Sequence, residues 1–138
     1  MKSTDDASVA GRILEARNAR DEGQMLRTAV MGTGGVGGYF GGLLANAGGE
    51  VAFIARGPHL RAMQANGVKV ISPEGDFEAH PTATGNYEEI GAVDYVFLTV
   101  KAHSLADVAP NLSPLLDPET AVVSAQNGIP WWYFQRHD

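Results

Sequence analysis

The sequence predicts an α/β fold in which a mostly parallel β-sheet is covered by helices on both faces. Short apolar segments alternate with segments of helical periodicity along most of the 138 residues, which is typical of doubly wound sheets. A glycine-rich turn joins the first predicted strand to the first predicted helix. Glycines or polar residues also follow the predicted strands at their carboxyl ends, where sheets of this kind bind their ligands.

The first unit of the predicted fold is a strand, a glycine turn and a helix. Residues 28–31 form a short apolar run, and the turn follows at once with Gly32, Thr33, Gly34, Gly35, Val36 and Gly37. The helix is predicted from apolar residues that recur on one face, namely Val36, Phe40, Leu43, Leu44 and Ala47. Gly48 and Gly49 are expected to end this helix, because glycine tolerates the left-handed conformation that is common there.

This strand, turn and helix together are the dinucleotide-binding fingerprint of a Rossmann-type domain. In this interpretation Gly32 makes the tight turn, Gly34 lets the backbone approach a pyrophosphate, and Gly37 lets helix and strand pack closely. The first amides of the helix are unpaired and its dipole is positive there, so an anion is favoured. The alternative is a flexible glycine loop in another kind of α/β protein.

The second predicted strand, residues 51–55, ends at Arg56. An NAD site usually carries an acidic residue at this position, bonded to the ribose 2′-hydroxyl. Arg56 stands there instead, 24 residues after Gly32 and with no acid beside it. Because a guanidinium can bind a 2′-phosphate in bidentate fashion, the sequence favours NADP (NADPH) over NAD. The alternative is a surface arginine without a ligand.

The remaining elements are predicted from periodicity and from turn residues. Gly57 and Pro58 are expected to open a helix. In this helix His59 is expected to be a surface residue, with a cofactor contact as the alternative. The elements that follow are a hairpin at residues 68–80, a helical turn at 86–90, a strand at 94–100, a helix that begins with a capping box of Ser104 and Asp107 and breaks at Pro110, and a strand at 121–125.

Two of these strands end in polar residues that could contact a ligand. Lys101 follows the strand at 94–100 and is expected to point into the cleft, where its ammonium could bind a carboxylate or the cofactor. Asn127 follows the strand at 121–125 and could orient the nicotinamide ribose or a substrate. The alternatives are a solvated lysine and a simple Asn-Gly turn. The glycine turn, Arg56, Lys101 and Asn127 are thus predicted to share one rim of the sheet.

The composition excludes several classes of function. A net charge of −6 argues against nucleic acid or an anionic membrane surface as the main partner. Cysteine is absent, so disulfides, thiolate zinc sites and cysteine nucleophiles are excluded. The four histidines lack metal-binding spacing, and no metal site is expected. No apolar run approaches the ~20 residues that a membrane span needs.

The two ends of the chain differ from its middle. Residues 1–24 are expected to be a solvated extension, disordered or partly helical, ahead of an NADP-binding Rossmann domain at 25–138. Met25 as the natural start of the domain is an equally favoured hypothesis. The extension lacks the apolar core of a secretory signal, so a cytoplasmic location is expected. At the other end, Trp131, Trp132, Tyr133 and Phe134 cannot all point the same way, and at least one or two of them should be uncovered.

Four motifs in this order resemble the N-terminal domain of the 2-dehydropantoate 2-reductase (ketopantoate reductase) family. They are residues 31–41, Arg56-Gly57, residues 99–102 and residues 126–128, and the resemblance covers about residues 25–134. It implies reduction of the 2-oxoacid ketopantoate to pantoate by NADPH, on the route to pantothenate. It further implies that residues 32–37 bind the pyrophosphate and Arg56 the 2′-phosphate. Lys101 and Asn127 would lie beside the nicotinamide and the substrate as accessory catalytic residues.

The resemblance also implies a second, all-helical domain that carries the general-acid lysine. The sequence ends before such a domain, so we expect the chain alone to have little activity and to need that domain as a partner. A homo-oligomer is also possible. Two other functions remain open. One is a different NADP-dependent 2-oxoacid or β-hydroxyacid reductase, and the other is an NADP-binding module without turnover.

Overall fold

A computed structural model of the chain describes residues 25–130, 132, 133 and 135. Within these residues the strands are β1 (Arg27–Met31), β2 (Glu50–Ile54), β3 (Val68–Val70), β4 (Phe77–Ala79), β5 (Thr82–Thr84), β6 (Tyr95–Leu98) and β7 (Ala121–Ser124). The α-helices are α1 (Gly35–Asn46), α2 (Gly57–Asn66), α3 (Tyr87–Ile90) and α4 (Leu105–Val108).

Five of the strands form one parallel sheet in the order β5-β2-β1-β6-β7. Chain order reverses between β1 and β6, which creates a switch point at the carboxyl ends of these two strands. The predicted α/β class and parallel sheet are therefore confirmed. The predicted hairpin is confirmed as the antiparallel pair of β3 and β4. β5 was not predicted, because it has only three residues and two of them are threonines at the edge of the sheet.

Apolar residues cover both faces of the sheet, and successive residues of β1 point to opposite faces. Ala29 and Met31 belong to a cluster with α3, α4 and the segments around Leu112 and Leu115. Val30 points to the other face and joins a cluster that includes Phe53 and residues of α1 and α2. The largest fully buried side chains, Phe53, Leu115, Val30 and Val96, contribute roughly 1.5–3 kcal/mol each on burial.

The face of α1 that packs on the sheet is its glycine face, which corrects the predicted orientation. Gly37, Gly41 and Gly42 are the buried residues of this helix. A Cβ at Gly41 would lie 2.5 Å from the Phe53 ring, and one at Gly42 would lie 3.0 Å from Val70 in the hairpin. Four residues of the predicted apolar face are between 38% and 50% exposed, namely Val36, Phe40, Leu43 and Leu44. Glycine lets the helix approach the sheet more closely than larger side chains would. The glycine face is therefore buried, although the apolar periodicity predicts the opposite face.

The end of α1 and the start of α2 follow the sequence signals. Gly48 has φ of +89°, and the amides of Gly48 and Gly49 donate to the carbonyls of Ala45 and Leu44, which is a typical glycine termination. α2 begins at Gly57 with Pro58 in its first turn, as predicted.

The segment after β6 is a series of short turns, and the helix predicted there was wrong in its detail. Besides α4 it contains 3₁₀ turns at Ala102–Ser104, Ala109–Asn111 and Ser113–Leu115. Ser104 makes no side-chain capping hydrogen bond, because its backbone is helical where an N-cap is extended. The two later turns each contain a proline, which removes the amide that a continuous helix needs.

The predicted extension at residues 1–24 lies outside the described residues, as do Trp131 and Phe134. Trp132 is 45% exposed and Tyr133 is 55% exposed, in agreement with the prediction for the aromatic tail. Among the residues that the structure describes, no helix is long and apolar enough to cross a membrane.

Candidate functional site

The predicted site residues lie at the carboxyl edge of the parallel sheet. The glycine loop follows β1, Arg56 follows β2, Lys101 follows β6, and Asn127 follows β7. Because these four strands are neighbours in the sheet, the four features lie side by side along one edge. Arg56, Lys101 and Asn127 are all exposed. The edge includes the switch point, where ligands of doubly wound sheets bind.

The glycine loop has the geometry that its spacing predicts. Gly32 has φ of +100°, and a Cβ at this position would lie 2.6 Å from the Val100 amide nitrogen. A Cβ at Gly37 would collide with the Gly32 carbonyl and the Thr99 hydroxyl. No atom lies within 4 Å of a Cβ built at Gly34 or Gly35. The backbone there is open to a ligand, so the loop fits a dinucleotide pyrophosphate.

Thr99 fastens the glycine loop to β6. Its hydroxyl donates to the Met31 carbonyl at 2.9 Å and also contacts the Gly32 carbonyl. Its amide donates to the Met31 carbonyl as well, at 2.8 Å. Sequence reasoning gave Thr99 no role. The available signal was a single hydroxyl near the end of an otherwise apolar strand, which does not reveal its partner.

His59 contacts the same loop from α2. Its Nε2 lies 3.0 Å from the Thr33 carbonyl oxygen. A carbonyl oxygen only accepts, so the Nε2–H of His59 is the donor. His59 is exposed, as expected, but the bond to the loop was not foreseen. A cavity of about 440 Å³ lies beside this contact, between the loop, α1, α2 and β3, and its polar lining includes Tyr39, His59, Asn66 and Lys69.

Arg56 stands at the N-cap of α2, and its charge reaches Tyr87 on α3. Burial raises the pKa of the Tyr87 phenol above its ordinary value, and the positive charge of Arg56 offsets part of that rise. The Tyr87 hydroxyl lies 3.8 Å from the Met31 sulfur at the end of β1. Tyr87 therefore borders the same edge as Arg56. From the sequence, Tyr87 was assigned only to a predicted helical turn, and its position beside Arg56 was not predicted.

The other half of the edge is formed by the segments after β6 and β7. The Lys101 carbonyl accepts from the Ser104 amide at 2.8 Å and so opens a 3₁₀ turn. The Gln126 side-chain amide donates to the Val100 carbonyl at 2.7 Å, which joins the two segments. Asn127 lines a second cavity, of about 160 Å³, together with Ala102 and Trp132. The part of the chain that the structure describes holds no group of three or more potential metal ligands.

Comparison with known proteins identifies the family. Residues 28–130 match the sequence model of Ketopantoate reductase PanE/ApbA, and this match covers most of the chain. The chain belongs to the ketopantoate reductase family. The family consists of oxidoreductases, and the resemblance predicted from the four motifs is thereby confirmed.

Individual members of the ketopantoate reductase family agree with this result. The chain is 44% identical over 110 residues to 2-dehydropantoate 2-reductase from Mesorhizobium japonicum, a match that covers 79% of this chain and 34% of that protein. The crystal structure of 2-dehydropantoate 2-reductase from Geobacter metallireducens superposes with a TM-score of 0.71 at 35% identity, over 76% of this chain and 35% of that one.

A second solved structure is of an enzyme with a different activity. The ternary structure of D-mandelate dehydrogenase with NADH and anilino(oxo)acetate has a TM-score of 0.69 at 26% identity, over 76% of this chain and 35% of that one. In each comparison the chain spans about a third of the length of the relative that it matches.

Proposed function

We propose that this chain supplies the NADP-binding domain of a 2-dehydropantoate 2-reductase, which reduces ketopantoate to pantoate with NADPH in pantothenate biosynthesis. One observation carries the proposal. The glycine loop, Arg56, Lys101 and Asn127, each in a motif typical of the family, follow four neighbouring strands at one edge of the sheet. A dinucleotide and a small 2-oxoacid can be bound together along such an edge.

In this proposal the cofactor is held by the loop and by Arg56. The loop glycines leave room for the pyrophosphate, and the N-terminus of α1 offers unpaired amides to it. Arg56 is proposed to pair with the 2′-phosphate, since a guanidinium matches the geometry of a phosphate. The neighbouring Tyr87 adds a half-buried aromatic ring to the same part of the edge.

Lys101 and Asn127 are proposed to orient the reacting groups. When it is bound, reduced nicotinamide supplies the hydride that reduces the 2-oxo group. The Lys101 ammonium would hold the substrate carboxylate or the cofactor, and the Asn127 amide would orient the nicotinamide ribose or the substrate. The new hydroxyl also needs a proton, which by the family resemblance comes from a lysine of a helical domain. We therefore expect little turnover by the 138-residue chain alone.

A second function is favoured by the likeness to D-mandelate dehydrogenase, whose solved complex contains NADH and anilino(oxo)acetate. It would make this chain part of a reductase for another 2-oxoacid. Arg56 supports NADP as the cofactor in either case. A binding module without turnover is the third possibility from the sequence, and no contact in the described residues specifically favours it.

A chimeric enzyme tests the proposed reaction. Residues 25–130 would replace the matching part of the Mesorhizobium japonicum 2-dehydropantoate 2-reductase. The chimera should reduce ketopantoate with NADPH, and Lys101→Ala within it should slow that reduction. A chimera that folds and binds NADPH but reduces only an aromatic 2-oxoacid would favour the second function. One that reduces neither substrate would favour the binding module.

A further inference from the structure

The contact between His59 and Thr33 joins the two parts of the edge that bind a nucleotide under the proposed function. His59 lies in the first turn of α2, and Thr33 lies in the glycine loop. Within the described part of the chain, no other hydrogen bond links α2 to this loop. This hydrogen bond therefore bears on the distance between the loop and the start of α2, where Arg56 lies.

Arg56 and His59 belong to the same turn at the start of α2. Arg56 is the N-cap residue of α2, and its carbonyl accepts from the Leu60 amide at 3.3 Å, which closes the first turn around His59. A bond that holds His59 against Thr33 therefore also sets how far Arg56 stands from the glycine loop. The pairing of β1 with β2 fixes the strand ends that precede the loop and Arg56. Beyond those ends, the loop has no side chains at Gly34 and Gly35 that could pack against α2.

The space beside the contact is open, so the distance between the glycine loop and α2 depends more strongly on this hydrogen bond. A cavity of about 440 Å³ separates the loop from the later turns of α2 and from β3. Side chains that fill a space resist a shift of the elements around it, whereas an open cavity does not. The hydrogen bond beside the cavity is then a direct restraint between the loop and α2.

We propose that His59 is a positioning residue that fixes the spacing between the glycine loop and Arg56, and thereby the preference for NADPH over NADH. The inference rests on the proposed function, because it takes the loop as the pyrophosphate site and Arg56 as the 2′-phosphate site. Both nucleotides carry the pyrophosphate and only NADPH carries the 2′-phosphate. A displaced Arg56 therefore weakens NADPH binding selectively, since charged hydrogen bonds depend steeply on distance and angle.

Calorimetric titration of the 138-residue chain with NADPH and with NADH tests this role. His59→Ala should lower the ratio of the two affinities by roughly three- to tenfold, the effect of about one hydrogen bond. His59→Gln should keep the ratio within about twofold of the wild type, because the glutamine amide reaches nearly the place of the imidazole Nε2 and can donate to Thr33. His80→Ala is the control, since His80 is exposed and its bond is to Glu78.

A double-mutant cycle separates positioning from other roles. In the Arg56→Ala background, His59→Ala should leave the NADPH-to-NADH ratio unchanged. An equal loss of ratio in both backgrounds would mean that His59 acts without Arg56, and would overturn the inference. Equal weakening of NADPH and NADH by His59→Ala would reduce its role to structure and would also overturn it.

The same titrations distinguish this inference from the proposed function. A wild-type chain that prefers NADPH through Arg56, while His59→Ala keeps that preference, would contradict only the role of His59. A wild-type chain that binds neither nucleotide would contradict both.

Discussion

Thr99 is the residue that most directly sets the shape of the glycine loop. Its hydroxyl and its amide both donate to the Met31 carbonyl at the end of β1. Thr99, which directly follows β6, therefore holds the turn from which the loop begins. The loop is common to the binding of any dinucleotide. A change at Thr99 should therefore alter the affinities for NADPH and NADH by similar factors, without changing the preference between them.

Thr99→Val should lower the free energy of unfolding by about 1 kcal/mol, the net value of a typical hydrogen bond. It should also weaken NADPH and NADH binding by similar factors. Urea denaturation and calorimetry measure the two effects. Thr82→Val is the matched control, because Thr82 is an exposed threonine of edge strand β5. A selective loss of NADPH binding in Thr99→Val would show that the loop is not the shared element.

At the scale of residues, the sequence predicted those positions whose requirement is local. Gly32 needs a positive φ and Gly37 needs room beside a carbonyl, and both needs follow from the turn itself. The contacts of Thr99, His59 and Tyr87 were missed, because their partners lie between 26 and 68 residues away in the chain. No spacing rule relates such pairs before the sheet order is known.

α1 illustrates how an element can be predicted correctly in extent and wrongly in orientation. Its glycines let the helix approach β1 and β2 so closely that the bulky residues turn outward. Apolar periodicity assumes that the largest apolar side chains face the core. That assumption fails here, because the close contact of a helix N-terminus with the strand end requires small residues.

Two glycines of α1, Gly41 and Gly38, should respond to alanine in opposite directions. Gly41→Ala should destabilise the chain by roughly 1–3 kcal/mol through overpacking, because its Cβ would lie 2.5 Å from Phe53 and 2.9 Å from Val30. Gly38→Ala should stabilise it by up to about 1 kcal/mol through helix propensity, since the nearest atom would lie 3.8 Å away. Urea midpoints measure both variants. A shift of the same sign in both would contradict the described packing of α1.

The sheet as a set of elements was largely predictable, and only the edge strand β5 was missed. β1, β2 and β6 are apolar and lie inside the sheet, where burial imposes the pattern. β5 lies at one edge and β7 at the other, and β7 is exposed along most of its length. β7 was still predicted, because three of its four residues are apolar, whereas the three residues of β5 include two threonines and carry little signal.

At the scale of the whole molecule, several apolar side chains are exposed in groups. They include Phe40, Leu43 and Leu44 on α1, Val122 and Val123 on β7, and Ile129, Trp132 and Tyr133 after the last strand. Exposed apolar patches of this kind mark surfaces that bind a partner. The chain spans about a third of the length of its relatives. The rest of such a protein, or a second copy of this chain, could therefore cover these patches.

We predict that the isolated chain self-associates through its aromatic tail. Trp131→Ser together with Trp132→Ser should reduce the association and leave NADPH affinity within a few-fold. Trp131 lies outside the described residues, and Trp132 is exposed. Light scattering over a range of concentrations measures the association. Phe40→Ser with Leu44→Ser serves as the comparison: if only this pair abolishes association, the α1 surface carries it and the tail does not.

We propose that this chain binds NADPH at the carboxyl edge of its sheet, with Arg56 on the 2′-phosphate. The most direct measurement is calorimetric titration of the wild type, Arg56→Ala and Arg61→Ala with NADPH and with NADH. A charged hydrogen bond contributes about 1.5–3 kcal/mol, so the wild type should bind NADPH roughly ten- to a hundredfold more tightly than NADH.

Arg56→Ala should lose most of that preference. Arg61→Ala removes the same charge from an exposed position further along α2 and should keep it. Equal affinities of the wild type for the two nucleotides, or a preference that survives in Arg56→Ala, would contradict the proposed role of Arg56.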